Sequence, residues 1–422
     1  MRFFKTILCL AVVCVAALSF IVPTPTAACP FCSAPSLTLS EQYAKADAAV
    51  LAQWVAGEMP KKDELENTPQ RVLDAALETA GQNVGEKPGK DKLGSTTYEI
   101  VQVARSPVKS IEKNKKITIE RYRAGKIGNL ALLLGSRSKG ETIEWGSPLD
   151  VDADSYNYIV EAPAPDSKPE IRLAYYLKFL ENSDRMIADD AYAEFANAPY
   201  KDMVPLAKQF PHDSLRKWLI SPDVPATRLG LYGLMLGLCG DDEDAALMQA
   251  KIAEKTDGFR LGIEGVMGGY LLLTGEKGLE TIEKSKLQDK SVPFSETYAA
   301  MMALRFLWTY GDRRIPPDRL KSAMRLLLDR PEVSDLVIAD LARWKDWSIQ
   351  SRLMELYGAE GYNIPSIKRA IIRYTIASTK DVPAGGGEKT PKHVIEATKN
   401  LQMLRDKDAK MVNEVERYFF LQ

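Results

Sequence analysis

The amino-acid sequence predicts an α+β chain in two domains, a small β-barrel followed by a mostly α-helical repeat solenoid. Three observations point there. Apolar and polar residues alternate in Tyr98-Glu99-Ile100-Val101-Gln102-Val103 and in Ile117-Thr118-Ile119-Glu120, the pattern of half-buried strands. Beyond residue 170 the apolar positions fall at helical spacing instead. Within that stretch the turns Cys239-Gly240-Asp241, Thr274-Gly275-Glu276, Tyr310-Gly311-Asp312 and Trp344-Lys345-Asp346 recur at 35, 36 and 34 residues, a period that marks a helical array.

Composition narrows the classes of function. Over 422 residues, 56 Lys+Arg against 57 Asp+Glu leave a net charge of −1, which lacks the basic footprint of a nucleic-acid binder. A chain 45% hydrophobic and 27% charged is folded for most of its length. No nucleic-acid partner is expected.

Residues 1–28 read as a signal peptide. Arg2 and Lys5 precede an apolar run from Ile7 to Val22, and Pro23, Pro25 and the small residues Ala27 and Ala28 follow. Cleavage after Ala28 makes Cys29 the first residue of an exported protein, secreted or held at the cell envelope. Thr26-Ala27-Ala28-Cys29 resembles the bacterial lipoprotein box, with threonine in place of the usual leucine. The alternative is an uncleaved anchor, because the run approaches the ~17–25 residues that span a bilayer. Contact with a membrane is expected only through such an anchor or lipid.

Export places Cys29 and Cys32 in an oxidising compartment, where they are expected to form a disulfide, leaving Cys239 over. The string Cys29-Pro30-Phe31-Cys32 also looks like the redox motif of glutaredoxins, but no strand precedes it as that fold requires. Haem attachment needs histidine at position 33, which is Ser33.

Residues 29–162 carry five expected strands, Ala48 to Val55, Thr96 to Ala104, Lys116 to Tyr122, Asn129 to Leu134 and Ser155 to Val160. Five strands in a segment of this length suit an OB-like barrel. A polar stretch near 59–92 reads as an insertion between the first two. The cysteine-bearing start, then Ala46 to Val55, Tyr98 to Val103 and Asn129 to Gly135, resemble the netrin-like barrel of the tissue inhibitors of metalloproteinases. That family begins C-x-C, where this chain has C-x-x-C, and its later cysteines are missing here. The resemblance implies a metalloprotease-inhibitor-like module acting through the amine and carbonyl of Cys29.

Pro163, Pro165 and Pro169 mark a linker over 163–169, and residues 170–422 read as the helical domain. Helices are expected at Ile171 to Leu180, Arg185 to Ala196, Met203 to Phe210, Asp213 to Ile220 and Arg228 to Cys239. A near-copy, Arg228-Leu229-Gly230-Leu231-Tyr232-Gly233-Leu234-Met235-Leu236-Gly237, matches the ten residues from Arg260 at six positions. Its glycines cost roughly 0.5–1 kcal/mol each inside a helix, so they predict a close helix approach. The pattern resembles HEAT-type repeats and implies a continuous core with an extended binding surface.

Asp150, Asp152, Asp154 and Glu161 occupy positions 1, 3, 5 and 12 of a calcium loop, although Ser155 stands where that loop turns on glycine. The alternative is an acidic turn into a strand. Arg228 and Arg260 begin equivalent helices and are candidates for gripping carboxylates or phosphates of a partner, or for pairing between repeats. The basic run Arg105, Lys109, Lys113, Lys115, Lys116, Arg121, Arg123 and Lys126 suits either an anionic surface or a solvated hairpin. Gly385-Gly386-Gly387-Glu388-Lys389-Thr390 reads as a linker rather than a phosphate loop. His212 and His393 fall in no catalytic motif, so no catalytic residue and no cofactor is assigned. The expected function is an exported, non-enzymatic binding or scaffold protein presenting its helical-repeat surface to a protein or glycan partner. The protease-inhibitor-like module and an enzyme of unknown class are the alternatives.

Overall fold

A computed structural model of the chain describes residues 29–32, 37–60, 94–138, 142–255, 258–382 and 390–419. Residues 1–28, expected to be a signal peptide, nearly all of the expected polar insertion and the triple glycine at 385–387 lie outside these residues. The architecture is α+β, with six strands and fifteen helices among the described residues.

Leu39–Lys45 forms α1, begun by a reciprocal cap in which Thr38 bonds the backbone of Glu41 and Glu41 bonds the backbone of Thr38. The strands are β1 (Ala48–Glu58), β2 (Ser95–Arg105), β3 (Lys116–Ile119), β4 (Leu130–Arg137), β5 (Ile143–Trp145) and β6 (Leu149–Asp150). All pair antiparallel in the order β3-β2-β1-β4-β5, with β6 also on β4. Among the described residues β3 and β5 remain edges, so the sheet is open where a closed barrel was expected.

Side-chain alternation gives this sheet two buried faces. Val50, Ala52, Tyr98, Ile100, Ala131 and Leu133 form a small core on one face. Ala49, Leu51 and Leu132 on the other face join the main core of the helices. Register shifts between β1 and β2 at Ala49/Val50, Leu51/Ala52 and Trp54/Ala56 add local twist along the central pair.

The last expected strand, Ser155 to Val160, is instead α2 (Ala153–Val160). Asp152 is its N-cap and exchanges hydrogen bonds with Ser155, and that cap outweighs the alternation of Tyr156, Tyr158 and Val160. The remaining helices are α3 (Pro169–Tyr176), α4 (Arg185–Asn197), α5 (Tyr200–Met203), α6 (His212–Ile220), α7 (Leu229–Cys239), α8 (Asp242–Ala253), α9 (Ile263–Ile282), α10 (Phe294–Tyr310), α11 (Pro317–Arg325), α12 (Pro331–Arg343), α13 (Gln350–Leu356), α14 (Pro365–Thr379) and α15 (Lys392–Tyr418). Proline starts α3, α11, α12 and α14, at the position where its missing N–H costs nothing.

All four expected turns interrupt helices. Gly240 ends α7, Gly275 breaks α9 with φ 58°, Gly311 ends α10, and Lys345 adopts φ 52° after α12. The near-copies start α7 and α9, which lie parallel with Gly230 against Gly262, Gly233 against Gly265 and Val266, and Gly237 against Gly269. A Cβ on Gly233 would stand 2.6 Å from the Val266 Cα, so the backbones themselves touch.

Two buried carboxylates on α4 tie the N-terminal elements to the helices. Asp190 accepts from the Leu39 N–H at 2.7 Å and the Tyr158 hydroxyl at 2.7 Å. Glu194 accepts from Ser40 Oγ at 2.6 Å and pairs with Arg172. Burial pushes the Asp190 carboxyl up to about 6, against the pull of those two donors.

Candidate functional site

A cleft of about 360 Å³ opens where the sheet meets the first helices. That volume lies at the small end of ligand sites. Its walls come from Trp54 on β1, Tyr98 on β2, the Arg123–Gly125 loop, Asn129 before β4, Asp150 on β6, and the helix caps Asp152 and Asp184.

Local structure fixes each wall. The Trp54 indole N–H donates to the Arg123 carbonyl at 3.1 Å, and only glycine fits at 125, because a Cβ there would come within 2.6 Å of the ring. Arg123 donates to Asp150 Oδ2 at 2.6 Å and to the Pro148 carbonyl, so both guanidinium arms are used. Asp152 Oδ1 accepts from the Ser155 N–H at 2.8 Å and Oγ at 2.7 Å, bonds that hold its carboxyl below the usual range. Asp184 Oδ1 caps α4 through the Met186 N–H at 2.8 Å. Asn129 Oδ1 accepts from the Lys126 N–H at 2.6 Å.

Tyr98 differs from all of these. Its side chain is 1% exposed, yet its hydroxyl has no hydrogen-bond partner among the described residues. Burial raises its pKa, with Arg123 opposing and Asp150 adding to the shift. The ring is sealed in the core while the hydroxyl borders the cleft, where it is open to a ligand.

The four residues expected to hold calcium separate. Asp150 and Asp152 line the cleft, Asp154 sits in the first turn of α2, and Glu161 caps its far end. A helix replaces the twelve-residue loop, and at about 1.5 Å per residue it holds Asp152 and Glu161 a full helix length apart. The sequence signal for this was Asp152-Ala153-Asp154-Ser155, a cap followed three residues later by its reciprocal partner.

Arg228 and Arg260 turn inward. Arg228 is 2% exposed and donates to the Leu180 carbonyl at 3.0 Å, Glu181 at 2.6 Å and Asp189 at 2.6 Å. Arg260 donates to Glu296 Oε1 at 2.7 Å and to the Lys251 and Ile252 carbonyls, while Lys286 shares Glu296 at 2.7 Å. Both guanidinium forks are consumed by internal acceptors.

Cys29 and Cys32 are disulfide-bonded with their Cα atoms 5.4 Å apart. The Cys29 N–H donates to the Ala196 carbonyl at 3.2 Å, and its own carbonyl accepts from Cys32 N–H at 3.3 Å. Both backbone groups that an inhibitor would offer to a protease metal are thus engaged inside a buried loop. The thiol of Cys239 is pushed up to about 11 by burial, with Asp244 adding to the shift, so it stays protonated near neutral pH.

Among the described residues one other cluster has metal-ligating side chains, His212, Asp241 and Asp244. Arg216 already fills it. The guanidinium bonds Asp244 Oδ1 at 2.8 Å and reaches Asp241 at 3.4 Å and Glu243 at 3.1 Å, while His212 Nε2 meets Asp244 Oδ2 at 2.5 Å. Burial opposes ionisation of Asp244, but those partners prevail and pull its carboxyl down to about 2. The cluster is an ion-pair network at the α6–α8 junction.

Among the described residues no helix is long and apolar enough to cross a membrane. No family model matches the chain, and neither a curated protein nor a solved structure matches it.

Proposed function

We propose that the chain is an exported, non-enzymatic binding protein, with the helical part as scaffold and the cleft as a ligand site. Tyr98 carries this reading. Its ring is buried, and its hydroxyl, at the wall of a polar cavity and without a partner among the described residues, is free to hydrogen-bond a ligand. Export rests on the sequence alone, through Arg2, Lys5 and the apolar run that follows.

The scaffold is read as a repeat array attached to an OB-like sheet. Support comes from side chains paired one period apart: Arg260 with Glu296, Arg305 with Asp340, Arg319 with Glu283, and Lys345 with Asp381, at separations of 35 or 36 residues. Exposed aromatics support a second, protein-binding surface on this array. Phe259 is 72% exposed, and Phe294 stacks on Tyr298 at the start of α10, next to the Arg260–Glu296 pair.

The test is a thermal-shift screen of saccharides and peptides against the full chain and against Tyr98→Phe. Ligands of the cleft are expected to stabilise the wild type and to lose most of that shift in the variant. A screen in which every hit shifts both proteins equally would place binding elsewhere and refute the cleft.

A further inference from the structure

We infer that the cleft between the sheet and α2 selects a saccharide bearing a free amine, recognised by its three carboxylates and the unpartnered hydroxyl of Tyr98. This rests on the reading of the cleft as a ligand site and adds the class of ligand.

Charge comes first. Asp150, Asp152 and Asp184 face a single guanidinium, Arg123, leaving the walls negative. Arg123 already gives an N–H from each arm to Asp150 and to the Pro148 carbonyl, so its charge is largely committed within the wall. A phosphate or uronate entering here would meet three carboxylates against one guanidinium already paired with Asp150, among the described lining residues. An ammonium group meets the opposite situation.

The acceptors are available for it. Asp150 uses only Oδ2, and Asp184 only Oδ1, in hydrogen bonds with described residues. Asp152 and Asp184 are also helix caps, so their positions are set by the backbones of α2 and α4. A ligand therefore meets carboxylates already held in place, and little ordering is left to be done on binding.

The rest of the wall fits hydroxyls and a sugar ring. Tyr98 can donate and accept, and the Asn129 amide nitrogen donates, its oxygen being engaged by Lys126. The Trp54 indole, half-buried and fixed by Arg123 and Gly125, provides an apolar wall for the C–H face of a ring. An aliphatic diamine would satisfy the carboxylates but forgo the hydrogen bonds that Tyr98 and Asn129 offer.

Isothermal titration of the full chain distinguishes these ligands, at mildly acid pH where the sugar amine is protonated. The probes are the disaccharide of glucosamine, its N-acetylated form, a neutral glucose disaccharide, glucuronate and cadaverine. The glucosamine disaccharide is expected to bind about tenfold or more tighter than its acetylated form, the worth of one favourable charge contact near 1.4 kcal/mol. Asp184→Asn keeps a good helix cap while removing one charge, so it should shrink that preference several-fold without unfolding α4. Tyr98→Phe should weaken both disaccharides. Equal binding of amine and acetylated forms, tight binding of glucuronate, or cadaverine as good as the amino sugar would each overturn the inference while leaving a cleft that binds. Heat from none of the saccharides would overturn the cleft reading as well.

Discussion

Phe31 sits with its ring centroid 4.9 Å from that of Phe306, joining residues 275 positions apart in the chain. The same ring covers Gly268, and the Phe31 backbone lies over Gly230, so the Cys29–Cys32 loop plugs the parallel glycine helices. Phe31→Ala should cost about 3–5 kcal/mol, as large-to-small changes in cores do. Opening the disulfide with Cys29→Ser and Cys32→Ser should cost less, about 2 kcal/mol, because so short a loop constrains the unfolded chain weakly. Urea denaturation of the two variants gives the order, and a Phe31→Ala variant as stable as wild type would mean that the plug adds nothing.

Glycine at 269 tests the seam. Alanine there gains about 1 kcal/mol of helix propensity, but its Cβ would press on the Gly233 carbonyl across the interface. The clash should win, giving a net loss of about 1–3 kcal/mol. A rise in melting temperature for Gly269→Ala would show that the backbones have room to part.

Asp190 gives the molecule a pH dependence of definite sign. Its folded pKa, about 6, exceeds the ~3.9 of an unfolded aspartate, so between those values the folded chain holds a proton that the unfolded chain has released. Stability from this group therefore falls as pH rises from about 4 to 6, and above 6 the buried charge costs at most about 3 kcal/mol. Glu194 and Glu41 add to the shift, while Leu39 N–H and Tyr158 oppose it. Asp190→Asn should gain stability near neutral pH and flatten the curve between 4 and 6. Chemical denaturation across that range would expose the opposite slope, if Asp190 were stabilised as a carboxylate.

Arg228 should behave as an internal tie. Removing it leaves Glu181 and Asp189 without their shared cation beside buried Tyr232, and Arg228→Ala should cost about 3–5 kcal/mol. Arg185, exposed and bonded only to Asp189 four residues on, should cost under about 0.5 kcal/mol when changed to alanine. Comparable losses for the two would argue that Arg228 faces outward in solution.

Periodicity carried most of the fold. The strands at Ala48, Thr96, Lys116 and Asn129 and the four helix-breaking turns were legible because each is set by neighbours within a few residues. Alternation misled at Tyr156, Tyr158 and Val160, where a cap at Asp152 set the conformation instead. The site was legible only in part. Asp150 and Asp152 stood out by their spacing, but Tyr98 looked like any strand tyrosine, Arg123 like one of a run of basic residues, and Asp184 like a helix start. What brings them together is pairing between β6 and β4 and the packing of α2, and those contacts leave no local mark. Pairing between repeats was one of the two roles the sequence offered Arg228 and Arg260, but it could not name carboxylate partners 36 to 47 residues away.

The glycine seam between α7 and α9 also decides where the helical part can bend. Backbones in direct contact at three successive levels have no side chains to reorient, so these two helices must move as one stiff strut. Any flexing under load is displaced to positions where helix geometry is already broken, Gly275 within α9 and Asp408 within α15. The strut carries the Cys29–Cys32 plug through Phe31 against Gly230 and Gly268, so that loop is tied to the stiffest pair of helices.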